Sequence, residues 1–145
     1  MEQEIMLRTF NQLHDGIINS ISSENYDILI GVDIVYLAER INSEYCYLHI
    51  RLINCNLLTF KAWSTNEYIE IENIHSLELE INKAEFVSDH IEVSCLCDGS
   101  IVGGDLIIKA SKVRIYDEKY NEIPINDFDE IVKGYWKGFN KDFDK

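Results

Sequence analysis

Apolar and acidic residues alternate along several short segments of this chain. The clearest alternating apolar sets are Ile28, Ile30, Val32, Ile34 and Tyr36; Leu77, Leu79 and Ile81; and Ile91, Val93, Cys95 and Cys97. Glu78, Glu80 and Glu92 stand between members of the last two sets. Successive side chains of a strand point to opposite faces of a sheet, so each set predicts one face. The pattern indicates a half-buried antiparallel sheet with an acidic outer face.

Six segments carry this pattern clearly enough to be predicted as strands. They are Tyr26 to Leu37, Tyr45 to Ile53, Leu57 to Trp63, Leu77 to Val87, Ile91 to Cys97 and Leu106 to Tyr116. A shorter strand is predicted around Ile17 to Ile21. The acidic alternation is predicted to begin at Tyr68, with an interruption near Asn73.

Two further segments have a helical period. From Glu2 to about Leu13 the apolar residues fall near one stripe of a helix. The second stripe consists of Phe128, Ile131, Val132, Tyr135, Trp136 and Phe139. Asn126 is predicted to cap that helix. The predicted fold is α+β: mainly an antiparallel β-sheet, as a sandwich or partial barrel, with an N-terminal helix and a C-terminal amphipathic helix packed across it.

Length and composition indicate one folded domain. The 145 residues fit a single domain over 1–145, and a hydrophobic fraction of 46% is too high for disorder. No apolar run approaches the roughly 20 residues that span a bilayer. The first residues, Met1-Glu2-Gln3-Glu4, are acidic where a signal peptide is basic. A cytoplasmic protein is therefore expected.

The chain is strongly acidic, with 13 basic and 26 acidic side chains and a formal net charge of −13. Lys and Arg provide the affinity for phosphates, so this balance argues against nucleic acid and against anionic membranes as partners. An acidic surface favours a basic protein partner and speeds its arrival at low salt. The alternative is that the charge only maintains solubility.

Four glutamates are the candidate binding residues of the acidic face: Glu70, Glu72, Glu78 and Glu80. Paired carboxylates also occur in glycoside hydrolases. Acidic residues two apart on an antiparallel strand more often describe a solvated face. No catalytic role is therefore predicted for them.

Histidines and cysteines offer few further candidates for chemistry. His14 beside Asp15 can act as a base or a ligand pair, although with Gly16 the triplet is typical of a helix end. His49 is predicted to be a sheet histidine with a hydrogen-bonding neighbour. The four cysteines lack Cys-x-x-Cys spacing and are expected to be buried thiols. No metal site and no cofactor are predicted.

Three stretches of the chain carry a resemblance to known proteins. They are Leu13-His14-Asp15-Gly16 followed by Ile17 and Ile21, then Leu52-Ile53-Asn54-Cys55 continuing to Phe60, and finally Gly103-Gly104-Asp105-Leu106-Ile107-Ile108. With the long alternating strand, they resemble small β-rich bacterial proteins of uncharacterised or immunity type. Immunity proteins are compact inhibitors that bind and neutralise a cognate toxin. The resemblance implies no catalytic residues.

The function expected from the sequence is that of a non-catalytic, acidic, cytoplasmic module that binds a basic protein, with an immunity protein against a basic toxin as the specific form. Two alternatives stay open. One is a small-molecule- or metal-dependent enzyme built around His14, Asp15 and His49. The other is a homodimeric scaffold subunit whose interface is the aromatic helix stripe or a sheet edge.

Overall fold

Alternating burial along the strands follows the alternation in the sequence. The computed structural model describes residues 2–74, 77–97 and 102–143, without the side chains of residues 71, 72 and 139–143. Leu48, Ile50 and Leu52 are fully buried, and the residues between them are only partly buried. One face of each such strand therefore contributes to the core. The buried apolar residues form one contiguous cluster.

The described chain contains four helices and ten strands. The helices are α1 (Glu2–Gln12), α2 (Val35–Ala38), α3 (Ile71–Ile74) and α4 (Ile125–Phe143). The strands are β1 (Ile17–Glu24), β2 (Asp27–Asp33), β3 (Tyr47–Ile53), β4 (Leu57–Ala62), β5 (Tyr68–Ile69), β6 (Glu80–Val87), β7 (His90–Leu96), β8 (Gly103–Lys109), β9 (Lys112–Tyr116) and β10 (Glu122–Ile123). No helix among the described residues is long and apolar enough to cross a membrane.

All ten strands belong to one antiparallel sheet that does not close on itself. The strand order is β10-β9-β3-β2-β1-β6-β7-β8-β4-β5. The predicted α+β class is confirmed: the sheet dominates, with one helix near the amino terminus and one near the carboxyl terminus.

Helix α1 accounts for the curvature of the sheet. It packs against both β6 and β9, although β3, β2 and β1 lie between those strands in the sheet. Adjacent strands are about 4.8 Å apart, so four spacings in a flat sheet would separate β6 from β9 by about 19 Å. A helix is only about 10 Å wide. The sheet therefore curls around α1, which buries Met6 and Phe10.

Strands β1 and β6 join the two halves of the sheet through a single register pair. Ile17 pairs with Glu80. On one side of the pair the Ile18 N–H donates to the Leu79 carbonyl, and on the other side Ile81 accepts from Asp15 and donates to Gly16, each at 2.8 Å. Beyond it, the described part of β1 pairs only with β2, as far as Glu24. Likewise β6 pairs only with β7, as far as Val87. No register pair joins the two strands beyond this point, which we call the crossing of β1 and β6.

A side chain of α1 takes the place of a strand beside β6. Asn11 accepts a hydrogen bond from the Ala84 N–H at 2.8 Å and donates one to the Ala84 carbonyl at 3.2 Å. A carboxamide has the same donor and acceptor as a peptide unit. Asn11 therefore continues the hydrogen-bond ladder where β1 has moved away.

Two predicted strands contain short helices. The segment predicted from Tyr26 to Leu37 is a strand only as far as Asp33 and then forms α2, because packing against β3 and α4 buries Leu37 as part of a helix. The acidic alternation predicted from Tyr68 forms the two-residue β5 and then α3. The completely buried Ile74 anchors α3 to the core.

The predicted strand from Leu106 to Tyr116 is divided in two. A turn at Ala110 and Ser111 separates β8 from β9. β8 pairs with β7 and β4, whereas β9 pairs with β3 and β10, so this turn carries the chain from one half of the sheet to the other. Local alternation cannot show such a change of neighbours.

The C-terminal helix covers the core as its periodicity predicts. Phe128 is fully buried and Val132 nearly so, while Ile131, Tyr135 and Trp136 are partly buried against them. The helix begins at Ile125, so Asn126 lies inside it rather than at the cap. Pro124 precedes the helix, and its carbonyl accepts the Phe128 N–H at 3.0 Å.

Phe128 and Gly138 should respond to alanine in opposite directions. Phe128→Ala should lower the free energy of unfolding by about 3–5 kcal/mol, because it removes a fully buried aromatic ring. Gly138→Ala should raise it by about 0.5–1 kcal/mol, because the added methyl group meets no atom within 4 Å and alanine favours the helix. Urea titration of both variants measures the two changes. Equal midpoints for Phe128→Ala and the wild type would contradict the packing of α4.

Candidate functional site

Two of the four predicted acidic residues line an open depression at the crossing of β1 and β6. Glu78 and Glu80 share a space of about 380 Å³ with Ile17, Leu96 and Cys97. Glu78 is exposed and Glu80 partly exposed. Ile17 and Leu96 are 40% and 44% exposed, which is high for large apolar side chains on a sheet. The depression therefore combines carboxylates with accessible apolar surface.

The depression belongs to a row of residues that crosses the sheet, which we call the acidic–apolar row. In register order it consists of Asp33, Ile17, Glu80, Leu96 and Gly103. Residues directly opposite one another on paired strands share a face. Carboxylates thus alternate with apolar side chains, and Asp33 and Glu80 are two strand spacings apart, about 10 Å.

Trp63 extends the apolar character of the acidic–apolar row at the end formed by Gly103. The Trp63 N–H donates to the Gly103 carbonyl at 3.0 Å. Its ring lies where a side chain on Gly103 would be, since an added Cβ would come within 2.7 Å of it. Glycine at this position therefore allows the indole to cover the backbone. Trp63 is 43% exposed.

The backbone at Glu78 is strained. Its φ angle is 50°, in the left-handed region. Most of the other described non-glycine residues with positive φ are Asn or Asp, which tolerate this conformation better than Glu. The buried side chains of Ile74 and Leu79 on either side hold the chain in place. Strain of this kind clusters at functional sites, so Glu78 is a functional candidate on its own account.

Of the other two predicted acidic residues, only Glu70 has a described side chain, and it does not line this depression. Glu70 is exposed and follows the edge strand β5. Glu72 is in α3, and its side chain lies outside the described residues. The pair alternates with Ile69 and Ile71 in the sequence, but a helix begins at Ile71 and ends the alternation of faces. The acidic alternation is therefore interrupted at α3, and among the described side chains Glu78 and Glu80, but not Glu70, line the depression.

A second acidic surface on the outer face of β6, β7 and β8 differs in composition. A depression of about 190 Å³ there is lined by Lys83, Glu85, Glu92, Ser94 and Asp105. Lys83 Nζ lies 3.0 Å from a Glu85 carboxylate oxygen and partly neutralises it. Among the described residues, no apolar side chain lines this depression. It offers charge without the hydrophobic contact that interfaces use.

His14 and Asp15 lie in a cluster of aromatic rings where α1, α2 and α4 meet. His14 stacks on Trp136 with ring centres 5.2 Å apart, and its Nδ1 is 3.2 Å from an Asp15 carboxylate oxygen. Tyr36 donates its hydroxyl hydrogen to the His14 carbonyl at 2.6 Å and packs against Tyr135 at 4.6 Å. Burial, with the charge of Asp15, raises the pKa of Tyr36. Tyr36 is therefore a structural donor at neutral pH.

His49 lies in a separate ring cluster on the sheet. It stacks face to face on Tyr120 at 4.0 Å and meets the edge of Tyr47 at 5.2 Å. Its Nε2 atom is buried and has no hydrogen-bond partner among the described residues. Burial lowers the pKa of His49, against the opposing effects of the Glu118 backbone and the charges of Glu118 and Asp117.

The described residues contain no group of three His, Cys, Asp or Glu side chains that could hold a metal ion. The cysteines are all free thiols. Cys95 is buried, Cys55 and Cys97 are partly buried, and Cys46 is exposed, so the expectation of four buried thiols is wrong for Cys46. Cys46 precedes β3 at the surface, where its N–H donates to Glu118 at 3.1 Å.

Sequence reasoning missed Ile17, Asp33 and Leu96 as members of the candidate surface. Ile17 belonged to a predicted strand, but nothing along the chain indicated that its side chain is exposed. The acidic–apolar row exists only through pairings between residues far apart in sequence. One local signal was available: Leu96 does not share the alternating positions of Ile91, Val93 and Cys95, which are the buried residues of its strand.

Uncovering His49 should raise its pKa. Tyr120→Ala removes the stacked ring and should move the pKa of His49 toward the ordinary value of 6.5. Since folding lowers this pKa, the unfolded chain binds more protons just below pH 6.5 and stability there falls with falling pH. Tyr120→Ala should flatten that fall. NMR titration of the imidazole measures the pKa, with Tyr26→Ala as control because Tyr26 is 81% exposed in another turn.

No protein-family model, curated protein or solved structure matches this chain. Function must therefore be inferred from the geometry and charge of the described residues.

Proposed function

We propose that this protein is a non-catalytic module that binds a basic protein through the acidic–apolar row. The observation that carries the proposal is the alternation of Asp33, Ile17, Glu80 and Leu96 across paired strands, with both apolar members about two-fifths exposed. Protein interfaces combine an apolar centre with charges that fix partner and orientation. The row supplies both on a rigid sheet.

The charge of the whole chain supports a basic partner. At −13, the protein attracts a positively charged surface from a distance and repels acidic ones. The local arrangement adds selectivity, because Lys or Arg side chains about 10 Å apart could reach Asp33 and Glu80 together. One Asp33 oxygen already accepts a hydrogen bond from Asn19 Nδ2 at 2.6 Å, which fixes its orientation.

The specific form that we propose is an immunity protein that neutralises a basic toxin. A compact acidic protein with a pre-formed binding face matches the resemblance in the sequence. Such inhibition needs no chemistry from the binding protein. His14 and Asp15 lie in the ring cluster with Trp136, where the helices meet, and His49 lies in the separate ring cluster with Tyr120.

Removing charge from the depression should slow association with a basic partner. The partner is first captured from the native cell at low salt and eluted with salt. Glu78→Gln with Glu80→Gln should lower its association rate about three- to tenfold at low ionic strength and reduce the salt dependence, because exposed charges act mainly on encounter. Glu44→Gln with Glu70→Gln is the matched control and removes the same charge from two exposed side chains that do not line the depression. Stopped-flow mixing measures the association rates. If both double variants associate equally slowly, the effect comes from net charge and not from the depression.

Glu78→Gly separates stability from function. Glycine adopts positive φ freely, so this variant should raise the free energy of unfolding by up to about 1 kcal/mol. The same change should weaken binding of the captured partner. Urea denaturation and binding measurements on one preparation test both effects. A variant that is more stable and binds as tightly as the wild type would remove Glu78 from the site.

A further inference from the structure

The sheet ends in short strands, but it has one long free edge in its interior. The terminal strands β5 and β10 have two residues each, which limits pairing with other chains. β1 is different, because it leaves β6 after their single register pair. From Ser20 to Glu24 it pairs regularly with β2 on one side, and no described strand lies on the other.

This edge has neither the lysines nor the prolines that commonly protect free strands. β1 contains no Lys, Arg or Pro. Ser22, Ser23 and Glu24 are exposed, so both faces of its last residues are accessible. Helix α3 also packs against β1, and the exposure of the last three residues places the open part of the edge toward the hairpin end. A bulge lies between Ile18 and Ser20, and pairing with β2 is regular beyond it.

The hairpin geometry determines which backbone groups face outward. Asn25, with a φ angle of 58°, and Tyr26 form a two-residue turn between Glu24 and Asp27. Pairs in an antiparallel ladder alternate between bonded and non-bonded, and the pair next to such a turn is bonded. Ile21 and Ser23 then belong to non-hydrogen-bonded pairs with residues of β2. Their N–H and C=O groups point to the free side.

We propose that the basic partner adds an extended segment to this edge of β1. This inference rests on the proposed function and names how the partner binds. Main-chain hydrogen bonds to Ile21 and Ser23 would supply affinity, as in other strand additions. Glu24 lies at the hairpin end of the edge. Glu78 lies at the other end, in the depression beside Ile17. The segment that fits is a strand of five or six residues with a Lys or Arg near each end.

The charge pattern favours this occupant over a second copy of the chain. A symmetric pair of β1 strands would join two molecules of charge −13 and offer no basic residue within either edge. Arg51 contacts Glu24 only loosely, at 3.9 Å, and is bound mainly to Asp27 at 2.7 Å. Glu24 therefore keeps an exposed carboxylate for a partner.

The probe is a peptide library of the form Lys-Xaa5-Lys, selected for binding to the full-length protein. Each selected peptide is then resynthesised with a single N-methyl group at every position in turn. Strand addition predicts loss of affinity by at least tenfold at alternate positions, because only every second N–H faces β1. A helical or irregular binder would show no period of two. Failure to select any peptide, or a scan without that period, would overturn the proposal.

A variant of the edge tests the same bonds from the other side. Ser23→Pro removes an outward N–H that the fold does not use, and proline is tolerated on strand edges. It should lower affinity for the selected peptide at least tenfold, whereas Ser23→Ala should retain it. Circular dichroism confirms folding, and if Ser23→Pro unfolds, the N-methyl scan on the wild type decides. Sedimentation that shows a wild-type dimer abolished by Ser23→Pro would instead assign the edge to a second copy.

The two proposals fail in different ways. If Glu78→Gln with Glu80→Gln weakens basic peptides that show no period of two, the acidic–apolar row binds the partner and strand addition is wrong. If selected peptides show the period but are indifferent to those glutamates and to their own lysines, strand addition holds and the basic-partner function is wrong.

Discussion

The crossing of β1 and β6 is the constraint on which the rest of the structure depends. One register pair, Ile17 with Glu80, connects two halves of a ten-stranded sheet. Because the strands separate after it, each loses a neighbour, and the fold compensates differently on the two sides. Beside β6, helix α1 fills the gap and Asn11 supplies the hydrogen bonds. Beside β1, the described residues supply no strand. The open depression, the acidic–apolar row and the free edge all begin at this crossing.

The parts of the fold that the sequence predicted are those encoded by local periodicity. β3 and β7 nearly match their predicted spans, because strands packed on one face must alternate over successive residues. The α4 stripe was recognised for the same reason. Helices α2 and α3 were not recognised, because each has four residues and completes only one turn. Over so short a length, apolar residues at every second position fit a strand as well as a helix. Their identity depends on tertiary packing, which buries Leu37 and Ile74.

The candidate site was predictable only in part. Glu78 and Glu80 were recognised from the acidic alternation, but Glu70 and Glu72 were assigned to an alternating segment that forms β5 and α3 instead. The apolar members of the row could not be identified, because exposure of Ile17 and Leu96 follows from which strands become neighbours. The stacking of His49 on Tyr120 likewise depends on the β9–β10 turn, which Asp117 holds by accepting the N–H groups of Lys119 and Asn121.

Asn11 shows how an exposed residue can be as constrained as one in the core. Its carboxamide matches a peptide unit in both donor and acceptor, and it meets Ala84 across 73 positions of sequence. Aspartate would present two acceptors to a carbonyl and an N–H, and leucine would present neither group. Surface positions usually accept many residue types, but position 11 has a backbone group as its partner and backbone groups do not change with mutation. Natural variation there should be as narrow as at Phe10, although Phe10 is limited by packing and Asn11 by hydrogen-bond direction.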